Sequence, residues 1–225
     1  MDARMPQLTR HKEIERKIKQ ADKKILYVLN KCDLIRKEEA DILKRGFDPC
    51  VFVSSKKKLG GTLLFNKIMM MSGGKPCKVG ALGYPNVGKS SVINLLKGKG
   101  SASVSSHAGH TTGVQFIKAK NKIFLLDTPG VLPFQEKDEL KQLMIGAINP
   151  QKVSEPEYYA MKLIEEYPIL FENYLDVKFE KDPVDFLEKV AMKKNYLKKG
   201  GTPDIERLSV QLLQDWQIGK LHQTS

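Results

Sequence analysis

Residues 79–96 constrain this chain more than any other stretch. An apolar run from Val79 to Leu82 leads into Gly83, four further residues, then Gly88, Lys89 and Ser90, and a helix-like segment through Leu96. A strand, a glycine-bounded loop and a helix start, in that order, make a phosphate-binding loop. Gly83 and Gly88 let the backbone curl so that successive N–H groups face an anion, and the helix adds its positive end. Lys89 is placed to reach β and γ phosphates, and the Ser90 hydroxyl to ligate Mg²⁺. Tyr84, Pro85, Asn86, Val87 and Ser91 complete the expected phosphate-contacting set.

Two further loops turn a phosphate site into a nucleotide site. Asp127 ends the apolar run 122–126 and stands three residues before Gly130. A carboxylate there can hold the Mg²⁺ water shell while the glycine N–H approaches the γ phosphate. Upstream, Asn30, Lys31 and Asp33 follow the apolar run 25–29. An aspartate can accept from both N1–H and the exocyclic NH₂ of guanine, a pair adenine does not offer. Asn30 can contact the base edge and the Lys31 stem can lie along the purine face. Ser54, Ser55 and Lys56, after the short run 51–53, would supply a backbone N–H to the guanine O6. In isolation Asn-Lys-x-Asp also describes a capped strand end with a solvated lysine.

Strand-like runs at 25–29, 51–53, 79–82, 114–118 and 122–126 alternate with helical patterns at 9–24, 36–45, 59–71 and 91–96. That alternation predicts an α/β doubly wound sheet. Residues 72–76 read as a linker. From about Asn149 only helical periodicity remains, at 155–167, 182–196 and 208–221, with Pro168, Pro183, Gly200, Gly201 and Pro203 as breaks. The expected division is 1–148 for the nucleotide-binding domain and 149–225 for a small, all-helical domain, basic around the lysines of 189–199.

Composition narrows the class. No run of 18 apolar residues exists, which argues against a membrane span. The three cysteines, Cys32, Cys50 and Cys77, have no paired spacing and suit a reducing cytosol. A net charge of +12 favours a polyanionic partner such as RNA.

Together these motifs resemble the translation-factor-related GTPases with their order changed, since Asn30–Asp33 and Ser54–Lys56 precede the phosphate loop. That order is similar to the circularly permuted GTPases of the YlqF/RbgA type, and the likeness extends to Asp2-Ala3-Arg4-Met5-Pro6, Ala108-Gly109-His110-Thr111 and Asp215-Trp216-Gln217-Ile218-Gly219-Lys220. The resemblance implies a GTPase acting in large ribosomal subunit assembly, in the cytoplasm, with the subunit precursor and rRNA as partners and GTP or GDP with Mg²⁺ as cofactors. It makes Thr111 the switch threonine that joins Mg²⁺ and the γ phosphate, with Thr112 as the neighbouring alternative. It makes Asn86 the candidate ligand of an activating K⁺ ion. The candidate catalytic residues are Lys89, Thr111 and His110, the last as a water-orienting group or an ordinary solvated loop histidine alongside His107.

Two departures qualify this expectation. Val131 and Leu132 follow Gly130, where many GTPases carry a water-orienting glutamine, so intrinsic hydrolysis is expected to be slow. The family's usual catalytic histidine, and a strand just before Asp-Ala-Arg, belong to a segment upstream of Met1. The reading therefore expects a shortened N-terminus that lacks a central strand. The alternative function is an RNA-binding assembly module in which GTP is only a conformational ligand.

Overall fold

Short apolar segments fold here as parallel strands because each is flanked by a helix that covers it. The computed structural model describes residues 1–97, 116–119, 122–126 and 138–221. These fall into two compact units, Met1–Gln135 and Glu136–Ser225.

In the first unit the order is α1 (Lys12–Gln20), β1 (Tyr27–Leu29), α2 (Lys37–Gly46), β2 (Cys50–Phe52), α3 (Gly61–Met71), β3 (Cys77–Gly80), α4 (Lys89–Lys97), β4 (Phe116–Ala119) and β5 (Ile123–Leu126). β1 and β2 pair in parallel, with Val28 opposite Val51. β3 and β5 also pair in parallel, with Val79 opposite Leu125, and β4 closes that sheet antiparallel to β5. Val51, Val53, Leu64, Ile68, Leu96, Ile123 and Leu125 form one buried core, and Ala3, Leu29 and Phe47 a second. The α/β expectation holds.

The described strands nevertheless form two sheets, ordered β1-β2 and β3-β5-β4. Between them runs a cleft of about 950 Å³ whose lining includes Leu26, Val28, Val79 and Leu125. Residues 1–3 enter one end of this lane. The N-terminal ammonium donates to Val28 O at 2.8 Å, Asn30 N to Met1 O at 2.9 Å and Ala3 N to Asn30 O at 2.8 Å.

Residues 72–76 are no linker. Gly74 N donates to Met69 O at 2.9 Å and Ser72 Oγ lies 3.0 Å from the carbonyls of Met69 and Lys75, which makes a tight turn from α3 into β3 within one unit.

The second unit comprises α5 (Glu139–Met144), α6 (Pro156–Glu166), α7 (Pro168–Leu175), α8 (Pro183–Lys193) and α9 (Ile205–Ile218). It takes in α5, upstream of the change in sequence pattern near Asn149, because Trp216 Nε1 donates to Met144 O at 3.0 Å. Gln217 Nε2 likewise donates to the carbonyls of Leu143 and Ile148, both at 2.9 Å. Pro168, read as a break, is instead the first residue of α7. Its missing N–H is one that the first turn leaves unpaired in any case. Carboxylates cap α5, α8 and α9 through Asp138, Asp182 and Asp204.

The description of this unit as basic needs correction. Residues 136–225 carry 13 Lys and Arg against 16 Asp and Glu, whereas residues 1–135 carry 25 against 10. The lysines of 189–199 are outnumbered by acids elsewhere in the unit. Among the described residues no helix is long and apolar enough to cross a membrane.

Candidate nucleotide site

The site begins where β1 stops. Leu29 is fully buried, so the chain carries Asn30 straight from the core into the loop that follows, still only 2% exposed. Its carboxamide acts as a clasp. Nδ2 donates to Val87 O in the phosphate loop at 3.0 Å, and Oδ1 accepts from Ser55 N, in the loop after β2, at 3.1 Å. One side chain thus joins three loops, one of them 57 residues distant in sequence. Asn30 is expected at the base edge; in the described structure its carboxamide ties these loops together. Gly88 is required by the same contact. It has φ +92°, and a Cβ there would lie 2.2 Å from Asn30 Nδ2.

A buried ion cluster supports the same loop, one that residue patterns alone did not single out. Asp2 pairs through Oδ2 with Arg4 Nη2 at 2.7 Å and with Lys31 Nζ at 2.8 Å. Its Oδ1 accepts from Arg4 N at 3.1 Å and Arg4 Nε at 3.0 Å. Burial alone would raise the Asp2 carboxyl, but the Arg4 hydrogen bonds and charge, with Lys31, hold it at about 2. Burial lowers the Lys31 ammonium, opposed by Asp2. Lys31 is in the left-handed region at φ 62°, as befits a residue whose backbone turns the chain into the short 3₁₀ turn Cys32–Leu34. The sequence signal for the cluster was the Asp-Ala-Arg triplet, which carried a likeness but no stated chemistry.

The phosphate loop has the expected frame. β3 ends at Gly80 and α4 starts at Lys89, so the helix N-terminus faces back along the loop. Lys89 Nζ donates to Gly83 O at 2.9 Å and Tyr84 O at 2.7 Å, an arrangement that bends the side chain over its own loop. Burial lowers its ammonium pKa. Val87 is buried, Gly88, Pro85 and Lys89 are half-buried, and Asn86, Ser90 and Ser91 are exposed. Asn86 sits at φ 55°. Tyr84 is buried beneath the ring of His11, with centroids 5.7 Å apart and planes at 27°, so the segment leading into α1 touches the loop.

Of the base-reading candidates, Lys31, Asp33 and Ser55 are half-buried and Lys56 is exposed. Ser54 is fully buried and structural. Its backbone exchanges hydrogen bonds with Leu59, and its Oγ accepts from Lys57 N at 3.1 Å. Gly60 seals this loop, since at φ +79° a Cβ would lie 2.5 Å from Phe52 O. Thr111, Thr112, His107, His110, Asp127 and Gly130 lie outside the described residues. Among the described residues no group of His, Cys, Asp and Glu could hold a metal by itself. Ser90 at the start of α4 is the described hydroxyl suited to a phosphate-bound Mg²⁺, with Thr111 and Asp127 as the remaining candidates. A glycine cradle too tight for a Cβ, a helix N-terminus and a partly desolvated lysine fit a polyphosphate and its cation.

Comparison with known proteins agrees with this geometry. The family described as "50S ribosome-binding GTPase" matches residues 78–159. The GDP-bound structure of YlqF superposes with a TM-score of 0.69 at 26% identity, covering 97% of this chain and 88% of that one. This chain carries a GTPase domain whose structural neighbours are the circularly permuted GTPases of the YlqF type. An uncharacterized GTP-binding protein of Methanocaldococcus jannaschii, MJ1464, is 40% identical across 99% of this chain and 61% of its own length. Nucleolar GTP-binding protein 2 of Saccharomyces cerevisiae is 32% identical across 98% of this chain and 48% of its own length. The chain thus spans about half the length of these curated relatives. A YlqF structure from T. maritima with bound GNP, at 24% identity and a TM-score of 0.63, shares the fold.

Proposed function

We propose that this chain binds GTP and GDP with Mg²⁺ and hydrolyses GTP to GDP slowly while serving the assembly of the large ribosomal subunit. The observation that carries the reading is the Asn30 clasp. It gathers the loop of Lys31 and Asp33, the loop of Ser55 and Lys56, and the phosphate loop into one locality. In that locality Asp33 accepts from the guanine edge and the Lys31 stem covers the purine face. Ser55 N–H is committed to Asn30, so the amide offered to O6 is that of Lys56. Lys89 leaves the Gly83 and Tyr84 carbonyls for phosphate oxygens, a stronger, charge-assisted bond. Ser90, Thr111 and Asp127 would hold Mg²⁺, which would neutralise charge on the β and γ phosphates. Asn86 is the candidate K⁺ ligand, and His110 the candidate that orients water.

Without a water-orienting glutamine, turnover is expected on the order of 10⁻⁴ s⁻¹. The match to the family described as 50S ribosome-binding GTPase supports a precursor of the large subunit as partner, and its rRNA as the further partner and the cytoplasm as the place of action belong to the same proposal. Calorimetry with GDP, GTP and ADP in Mg²⁺, followed by multiple-turnover assays with and without large subunits in K⁺ and Na⁺, tests the proposal. ADP binding as tight as GDP would reject guanine recognition. GTP binding without turnover under any of these conditions would leave GTP as a conformational ligand only.

A further inference from the structure

The positive surplus of this chain is not spread evenly, and its location points to a surface. Residues 1–135 hold 25 basic against 10 acidic side chains, and residues 136–225 hold 13 against 16. Within the helical unit, moreover, the lysine run is partly neutralised. Lys189 pairs with Glu180 at 2.9 Å and Lys193 with Asp176 at 2.6 Å.

The first unit contains a group of lysines held by neutral partners. Lys24 Nζ donates to Met71 O at 2.6 Å, and Lys122 Nζ to Gly74 O at 3.0 Å. Both amino groups therefore sit against the turn that joins α3 to β3, which carries Lys75 on its surface. Lys23 precedes Lys24 and is also exposed, with Asp22 the acid beside it. A carbonyl partner fixes an ammonium without cancelling its charge, so these side chains form a preset positive ridge. The turn tip is Gly73-Gly74, where an added Cβ would meet nothing within 4 Å, and this leaves backbone room for a bulky polymer. The ridge lies before the start of β3 and the phosphate loop beyond its end, so the length of the strand separates them.

We propose that this ridge, Lys23, Lys24, Lys75 and Lys122, is a docking surface for the phosphodiester backbone of folded RNA. Its ammonium groups are point charges beside the exposed Gly73, Gly74 and Pro76. The contact is therefore to phosphates and is indifferent to base sequence. This deepens the ribosomal reading above by naming the surface and the chemistry, and it does not depend on nucleotide binding.

The test is fluorescence anisotropy of a labelled RNA stem-loop across a salt series, with binding of a fluorescent GDP analogue measured on the same protein. For K24E/K75E/K122E we expect at least a tenfold loss of RNA affinity and a salt slope shallower by about 2. GDP binding is expected to stay unchanged. K23A/K75A, which removes no described hydrogen bond, guards against a folding artefact and should lower the slope by about 1.5. The comparison variant K194E/K198E/K199E, in the helical unit, should bind RNA within about threefold of the parent. Loss of RNA binding in the helical variant but not in the ridge variants would overturn the proposal, as would a parent that binds anionic vesicles but not RNA, or no polyanion at all. A parent that binds RNA but not the GDP analogue would count against the nucleotide reading alone.

Discussion

The two units are held together by different means. The helical unit is a conventional apolar core. Trp216 is 2% exposed, packed at a tilt against Tyr167 with ring centroids 4.9 Å apart and bonded to Met144, and the helices of the unit start at carboxylate caps or prolines. The first unit has an apolar core as well, but it is interrupted by a cleft, and its loops are positioned by buried polar groups. Asn30 and Asp2 carry geometry there that no packing contact supplies. A core tolerates approximate side chains, whereas a hydrogen-bonded clasp depends on specific atoms. The difference separates a unit stabilised by packing from one whose loops are set by particular polar atoms.

Four substitutions break or sharpen that contrast. Trp216→Ala should cost about 3–5 kcal/mol in the helical unit, seen as loss of its melting transition, with binding of a fluorescent GDP analogue retained. If the two transitions fall together, the units are not independent. Asn30→Ala should cost about 1–3 kcal/mol, because Ser55 N–H and Val87 C=O lose a buried partner, and it should weaken GDP more than it lowers the melting point. A purely thermal effect would place Asn30 with ordinary core residues. Asp2→Asn bears on acid stability. The Asp2 carboxyl is held at about 2 against 3.8 for a free one, so its stabilisation is complete above 3.8 and is lost as pH falls toward 2. The amount is about 2 kcal/mol for a group this buried, and the asparagine variant should show a correspondingly flatter urea midpoint between those pH values. Lys193→Ala, at an exposed pair, should change stability by less than about 0.5 kcal/mol.

The legible part of the molecule was the part with local grammar. The glycine spacing of 83–90 and the polar ends of the apolar runs at Asn30 and Ser54 foretold strand, loop and helix, because those signals act within a few residues. Helix ends were less legible. Pro168 looks the same whether it stops one helix or starts the next, and only the packing of α7 decides. The Asn30 clasp escaped sequence reading for a sharper reason. An asparagine next to a guanine-reading motif has an obvious local role, while its actual partner, Val87, offers only a backbone carbonyl that no residue pattern can advertise. The Asp2 cluster escaped likewise, since a pairing between residues 2 and 31 depends on β1 bringing them side by side.

The long reach of the Asn30 clasp also has a consequence for how the protein is born. A ribosome making about 5–20 residues per second needs roughly 3–11 s to progress from Asn30 to Val87. During that interval the half of the pocket that would read the base has emerged without its anchor. The later strand β5 must still follow before the β3 edge is covered. Nascent chains stalled just before and just after residue 87 has left the exit tunnel should therefore differ in protease resistance around residues 30–33, the earlier one being cut and the later one protected.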